Sequence, residues 1–215
     1  MRVNPKTIQA LALFVAKKDL RVYMHDINFE LQLDKTILTA SNGHILLSVC
    51  IHEANEEEDT FRIPPASFPK SDIEYEVTRG DDGKVYVTNG LAKVEVPQDQ
   101  SRYPDFRRVI PSKRAENVVH QSYDPEYLML FKKASKLLGG TEWPIVHPNN
   151  IVDIGLSNMV GVQMPLRYEN IKTKGVATVD VAPDWLLIPE KVPAPAAATV
   201  EQPAEVVDSV EQKAA

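Results

Sequence analysis

The stretch LTASNGHILLSV, residues 38–49, sets two apolar runs on either side of an Asn-Gly pair. Asn-Gly between apolar runs is the strongest short-range signal for a β-hairpin, because the favoured two-residue turn needs positive φ at both central positions. Strands are therefore expected over residues 36–41 and 44–51, turning at Asn42-Gly43. Two distant stretches share this strand-to-turn character, YPDFRRVIP (103–111) and VGVQMPLR (160–167). None of the three carries catalytic chemistry.

Working outward, residues 4–18 read as a first helix. Asn4 suits the N-cap, Pro5 the first helical position, and Ile8, Leu11, Ala12 and Val15 form an apolar stripe. Residues 20–33 carry Val22, Met24, Ile27, Phe29, Leu31 and Leu33 in near-alternation with polar residues, as a half-buried strand pair does. HEANEEEDT (52–60) is an acidic loop. Consecutive carboxylates do not converge on one ion without specific folding, so it reads as a solvated connection. Prolines 64, 65 and 69 forbid a full helix between Phe61 and Ile73. Strands are expected near 74–78, 84–89 and 92–96, with turns at Asp82-Gly83 and Asn89-Gly90. A second helix runs from Asp124 to Leu138. Pro125 takes its first turn and Gly139-Gly140 ends it. Strands follow near 144–147, 150–155 and 159–167. The order helix-then-strands begins at residue 4 and again near 118, a weak internal repeat whose middle copy, 60–111, has its helix reduced.

With 215 residues the chain suffices for one large or two small domains with a real core. No apolar run approaches the ~20 residues of a membrane span, and the N-terminus reads as an amphipathic helix rather than a signal peptide. Cys50 is the single cysteine, so no internal disulfide forms and a reducing, cytoplasmic setting fits. A net charge of −6 argues against a uniformly basic nucleic-acid binder but leaves room for a locally basic face. There is no Gly-rich phosphate loop and no G-x-S-x-G elbow. His25, His44, His52, His120 and His147 lack zinc spacing. The expectation is a non-enzyme without a cofactor or metal.

Three blocks in order resemble the bacterial sliding clamp, the beta subunit of DNA polymerase III. The family's middle domain reads D-[VI]-R-Y-Y-L, then A-T-D-G-H-R-L-A-V, and closes in F-P-D-Y-R-R-V-L-P. Here stand DLRVYM (19–24), ASNGHILLS (40–48) and YPDFRRVIP (103–111). The family's last strand, V-V-M-P-M-R-L, is matched by VQMPLRY (162–168). The sequence departs at Ile45 (arginine in the family), Gln163 (valine) and Tyr168 (leucine). The resemblance covers residues 4–168. It implies an α+β, DNA-clamp-like fold of repeated βαβββ units, with antiparallel sheets and few helices. Residues 1–111 would be like the clamp middle domain and 112–170 like half of the C-terminal domain. Residues 171–188 would be a connector holding PDWLLIP, and 189–215 a disordered Ala/Pro/Glu tail. No counterpart of the family's first domain is seen, so a shortened form, of phage or prophage type, is expected.

In the family, the cleft between the middle and last domains receives short peptides of polymerases, the clamp loader and repair proteins. The matching positions are Met24, Ser41, Gly43, His44, Ile45, Leu46 and Pro104 on the middle-domain side, with Arg108 and Val109. From the last strand come Val162, Met164, Pro165, Leu166 and Arg167. Met24, Leu46, Val109, Val162, Met164 and Leu166 would form an apolar pocket, although strand residues of this kind also simply form core. Arg108 and Arg167 would hold peptide carbonyls or carboxylates. Clamp helices also present cations to duplex DNA. Lys6, Lys17 and Lys18 on the first helix and Lys132, Lys133 and Lys136 on the second are the candidates, the alternative being a solvated face. PDWLLIP (183–189) is either an anchor for the tail or a linear motif for a clamp cleft. The implied function is a replication processivity factor with replisome proteins, double-stranded DNA and, as a homo-oligomer, itself as partners. The rival is a non-encircling mimic that competes for clamp-binding partners.

Overall fold

The computed structural model describes residues 1–98, 101–111 and 121–166, all within the compact unit Met1–Lys172. The first block runs β1 (Arg2–Val3), α1 (Pro5–Leu11), β2 (Ile27–Gln32), β3 (Lys35–Ser41) and β4 (Ile45–Ile51). The second runs β5 (Asp59–Ile63), a 3₁₀ turn at Pro65–Ser67 where the first block has its helix, then β6 (Tyr75–Arg79), β7 (Val85–Thr88) and β8 (Lys93–Val96). The third adds α2 (Pro125–Leu138), β9 (Ile145–Val146), β10 (Ile151–Asp153) and β11 (Met159–Gln163). The repeat is thus real, and the first two copies exchange their leading strands. β5 pairs with β2, and β1 pairs with β6.

The result is one four-stranded sheet, β1-β6-β7-β8, and one seven-stranded sheet, β5-β2-β3-β4-β11-β10-β9. All pairings are antiparallel. The third block joins the first through β11 and β4, with Val162 opposite Leu46 and Gln163 opposite Ile45. Strand alternation then divides the side chains between two faces. On one face Ile45, Leu47, Phe29 and Leu38 enter the main core with Leu11, Phe14 and Phe131. Phe14 and Phe131 meet edge-to-face at 4.8 Å, which ties the α1 end of the chain to α2. On the other face Leu46 and Val162 form a second, smaller core with Tyr103 and Phe106. Residues 101–111 therefore lie as a strap across that face, and Arg107 clasps Glu30 of β2 at 2.6 and 2.9 Å.

The sequence expectations hold for the hairpin, for β6, β7 and β8, and for α2. Elsewhere they need correction. The first helix ends at Leu11, not near residue 18. Phe14 is drawn into the core, and the Ala16 N–H donates to the Met24 carbonyl at 2.8 Å instead of continuing the helix. Lys17 and Lys18 therefore lie beyond the helix. Residues 20–26 are not strand. Asp19 accepts hydrogen bonds from the Arg21 backbone and side chain and bends the chain into a 3₁₀ turn at Val22–His25. Asp59 and Thr60 belong to β5 rather than to the acidic loop. The expected strand over 159–167 ends at Gln163. The tail and PDWLLIP lie outside the described residues.

Candidate functional site

The β3–β4 turn sets one wall. Only Gly43 has positive φ (+88°), not Asn42 as well. The Asn42 side chain instead accepts from the His44 and Ile45 N–H groups at 2.9 and 3.0 Å, and Ser41 Oγ donates to the Ile45 carbonyl at 2.8 Å. A Cβ on Gly43 would sit 3.0 Å from an Arg21 guanidinium nitrogen. Arg21 is itself held by Asp19 through a pair of hydrogen bonds at 2.9 and 2.7 Å. These bonds hold the Asp19 carboxyl well below the usual carboxylate range.

The opposite wall comes from the end of β11 and the segment after it. The Met164 N–H donates to the His44 carbonyl at 2.8 Å, which carries the sheet pairing past the end of β11. Gln163 is completely buried, and its Nε2 donates to the Asp124 carbonyl at 3.0 Å. Its N–H donates to the Asn150 carbonyl, and Asn150 itself adopts positive φ (70°). The imidazole of His44 stacks on Tyr127 of α2 at 5.8 Å. The strap closes the third side. Burial, and after it the nearby Asp26 carboxylate, push the Tyr103 phenol far above its ordinary range.

Between these walls lies an apolar groove of about 480 Å³. Met24, Ser41, Gly43, His44, Ile45, Leu46, Pro104, Val109, Val162, Met164 and Pro165 all line it. Met164 and Val109 are half exposed, 54% and 52%, while Leu46 and Val162 form the floor. The groove thus pairs a fixed floor with an adaptable thioether at its lip, a combination suited to varied apolar side chains. Arg108 lies elsewhere, on a polar cavity across the strap. Leu166 is off the groove wall, its N–H bound to the Ser122 carbonyl at 2.8 Å, and Arg167 lies outside the described residues. Sequence reasoning missed Arg21, Tyr103, Asp105, Phe106, Pro111, Asn150 and Gln163. For Asn150 the signal was present in the Pro-Asn-Asn run at 148–150, since asparagine tolerates left-handed backbone.

The candidate lysines fall in two sets. Lys133 and Lys136 are exposed on α2, away from its buried Phe131 and Ala134. Lys132 lies over the Trp143 ring at 4.0 Å, so its charge is partly engaged in a cation–π contact. Lys6 is exposed on α1, and Lys17 and Lys18 lie in the turns after it. Among the described residues no three His, Cys, Asp or Glu side chains gather as a metal site, and no helix is long and apolar enough to cross a membrane.

No protein-family model matches the sequence, and no curated protein matches it either. Solved structures do. The DNA polymerase III beta subunit of Pseudomonas aeruginosa superposes with a TM-score of 0.58 at 15% identity, covering 78% of this chain and 66% of that one. The chain has the sliding-clamp fold. The beta subunit of Thermotoga maritima gives a TM-score of 0.56 at 14% identity, over 78% of this chain and 65% of that one. A Pseudomonas aeruginosa clamp bound to griselimycin gives 0.55 at 15% identity, over 78% and 65%. The chain therefore spans just under two thirds of the length of these clamps. Its α+β architecture of antiparallel sheets with two α-helices among the described residues is the clamp architecture.

Proposed function

We propose that the protein is a non-catalytic, sliding-clamp-like accessory factor of DNA replication that docks short peptides of polymerases and other replisome proteins in the groove. The observation that carries this reading is the convergence of Met24, the 41–46 hairpin, the strap and Val162–Pro165 on one apolar groove in a clamp fold. Most of the positions that the clamp resemblance assigns to peptide docking line this groove, Arg108 and Leu166 excepted and Arg167 lying outside the described residues. Residues 1–111 then correspond to a clamp middle domain and 112–170 to half of a C-terminal domain, the two joined through β4 and β11. Lys133 and Lys136 on α2 and Lys6 on α1 supply sequence-independent attraction for duplex phosphates, with Lys17, Lys18 and Lys132 beside them. Self-association supplies any further sheet and helix that an encircling form requires.

The test is a titration with a fluorescein-labelled clamp-binding peptide from a bacterial replicative polymerase. Met164→Glu places a charge on the apolar lip of the groove without touching the core. It should weaken binding by about tenfold or more, roughly 1.4 kcal/mol. Unchanged affinity would remove the groove from the docking role. Peptide binding by a protein that remains monomeric and does not stay on circular DNA would assign it to the non-encircling class.

A further inference from the structure

The strap that walls the apolar groove has a second cavity on its other side, and the two share Tyr103, Pro104, Asp105 and Phe106. This second cavity, about 950 Å³, differs in chemistry from the first. Among the described residues its walls include the arginines 62, 102, 107 and 108 against two carboxylates, Glu30 and Asp105. Arg107 meets Glu30 at 2.6 Å and Arg108 meets Asp105 at 3.3 Å, while Arg62 reaches Asp26 at 3.3 Å. Arg102, also on this cavity, is exposed and has no carboxylate partner among the described residues, in a chain of net charge −6. Below it, on β2, Asn28 is 3% exposed, and its Oδ1 has no hydrogen-bond partner among the described residues. A buried amide oxygen without a donor is costly. A ligand that brings an N–H to this oxygen recovers that cost. The cavity thus asks for one ligand that carries both N–H donors and negative charge.

An acidic peptide segment has both. We propose that a peptide seated by its apolar side chains in the groove continues over the Pro104–Asp105 ridge of the strap into the polar cavity. There a backbone or side-chain N–H bonds Asn28 Oδ1, and acidic side chains face Arg102 and Arg108. The inference rests on the peptide-docking reading and deepens it. The partner class becomes peptides in which the apolar anchor is flanked by acidic residues. A phosphate-bearing nucleic acid also offers negative charge, but continuity with the groove favours peptide.

The experiment compares the polymerase clamp-binding peptide with two versions that carry three glutamates at one or the other end. Binding of each is measured by fluorescence anisotropy at 50 mM and 500 mM salt to the full chain and to Arg102→Glu and Asn28→Leu. One extended peptide should bind about tenfold tighter than the parent at low salt, with the gain lost at high salt. Arg102→Glu, at an exposed position, should abolish that gain while leaving parent-peptide affinity unchanged. Asn28→Leu should reduce the gain in protein whose melting curve stays cooperative. If the parent binds and neither extension adds affinity, the acidic-cavity inference is overturned and the groove stands. The inference is equally overturned if Arg102→Glu leaves the gain intact. If the parent itself does not bind, both readings fall.

Discussion

A side chain at position 161 would have nowhere to go. A Cβ there would lie 2.5 Å from the Phe131 ring and 2.8 Å from the Val152 carbonyl oxygen, so β11 can carry α2 this closely only with glycine. Gly161→Ala should destabilise the fold by roughly 1–3 kcal/mol, a fall in melting temperature of several degrees by calorimetry. A melting point unchanged within a degree would contradict this packing. Nothing in the sequence around residue 161 announces the constraint, because it is set by a ring thirty positions away on another element. Gly43 is the opposite case. Its positive φ follows from the Asn-Gly pair alone, and sequence reasoning located that turn, though it assigned Asn42 a positive φ that the side-chain hydrogen bonds of Asn42 make unnecessary. The groove was legible to the same degree. Leu46, Val162 and Met164 follow from the clamp resemblance, and Asn150 is hinted at by its local Pro-Asn-Asn run, whereas Gln163 enters the groove through long-range bonds that no local pattern encodes.

The two helices show why elements differ in legibility. α2 is bounded by local chemistry. Asp124 Oδ1 accepts from the Glu126 N–H at 2.8 Å, Pro125 begins the helix, and Gly139 ends it in left-handed backbone at φ 78°. Asp124→Ala should cost about 1 kcal/mol, read from urea melts, since it removes the cap while keeping the carbonyl that holds Gln163. α1 stops without any such signal, because burying Phe14 against Phe131 outweighs two more turns of helix. The strap is an element of a third kind, held to β2 by Arg107 and Glu30. The Arg107 hydrogen bonds lower the Glu30 carboxyl below its ordinary value against the opposing effect of partial burial. A carboxyl lowered in the folded state stabilises above its unfolded pKa and loses that contribution as pH falls through the folded value. Hydrogen exchange in residues 103–111 should therefore rise, relative to the rest of the sheet, as pH drops below the usual glutamate value of about 4.3. In Glu30→Gln the strap should exchange faster at neutral pH and show no such added acid step. An identical acid response in the variant would show that the clasp does not hold the strap.

At the scale of the whole molecule, the sequence carried the order of the three blocks and the uneven repeat. It did not carry the exchange of β1 and β5 between the first two copies, because which sheet a leading strand joins is decided by tertiary packing. In the third block Tyr127, Leu130, Leu137, Leu138 and Val146 stay only partly buried. Replacing Lys132, Lys133 and Lys136 with alanine should weaken duplex DNA binding and flatten its dependence on salt, measured by anisotropy across a salt series. An unchanged salt slope would mean that α2 does not meet DNA. The central claim, that this fold presents a groove for partner peptides, is tested most directly by photo-crosslinking. A polymerase clamp-binding peptide carrying benzophenone at its apolar anchor is irradiated with the full chain, and the adducts are mapped by mass spectrometry. Docking in the groove should give adducts at Met164, at Val109 and on the 41–46 hairpin. Adducts confined to α2 or to the four-stranded sheet, or none at saturating peptide, would contradict it.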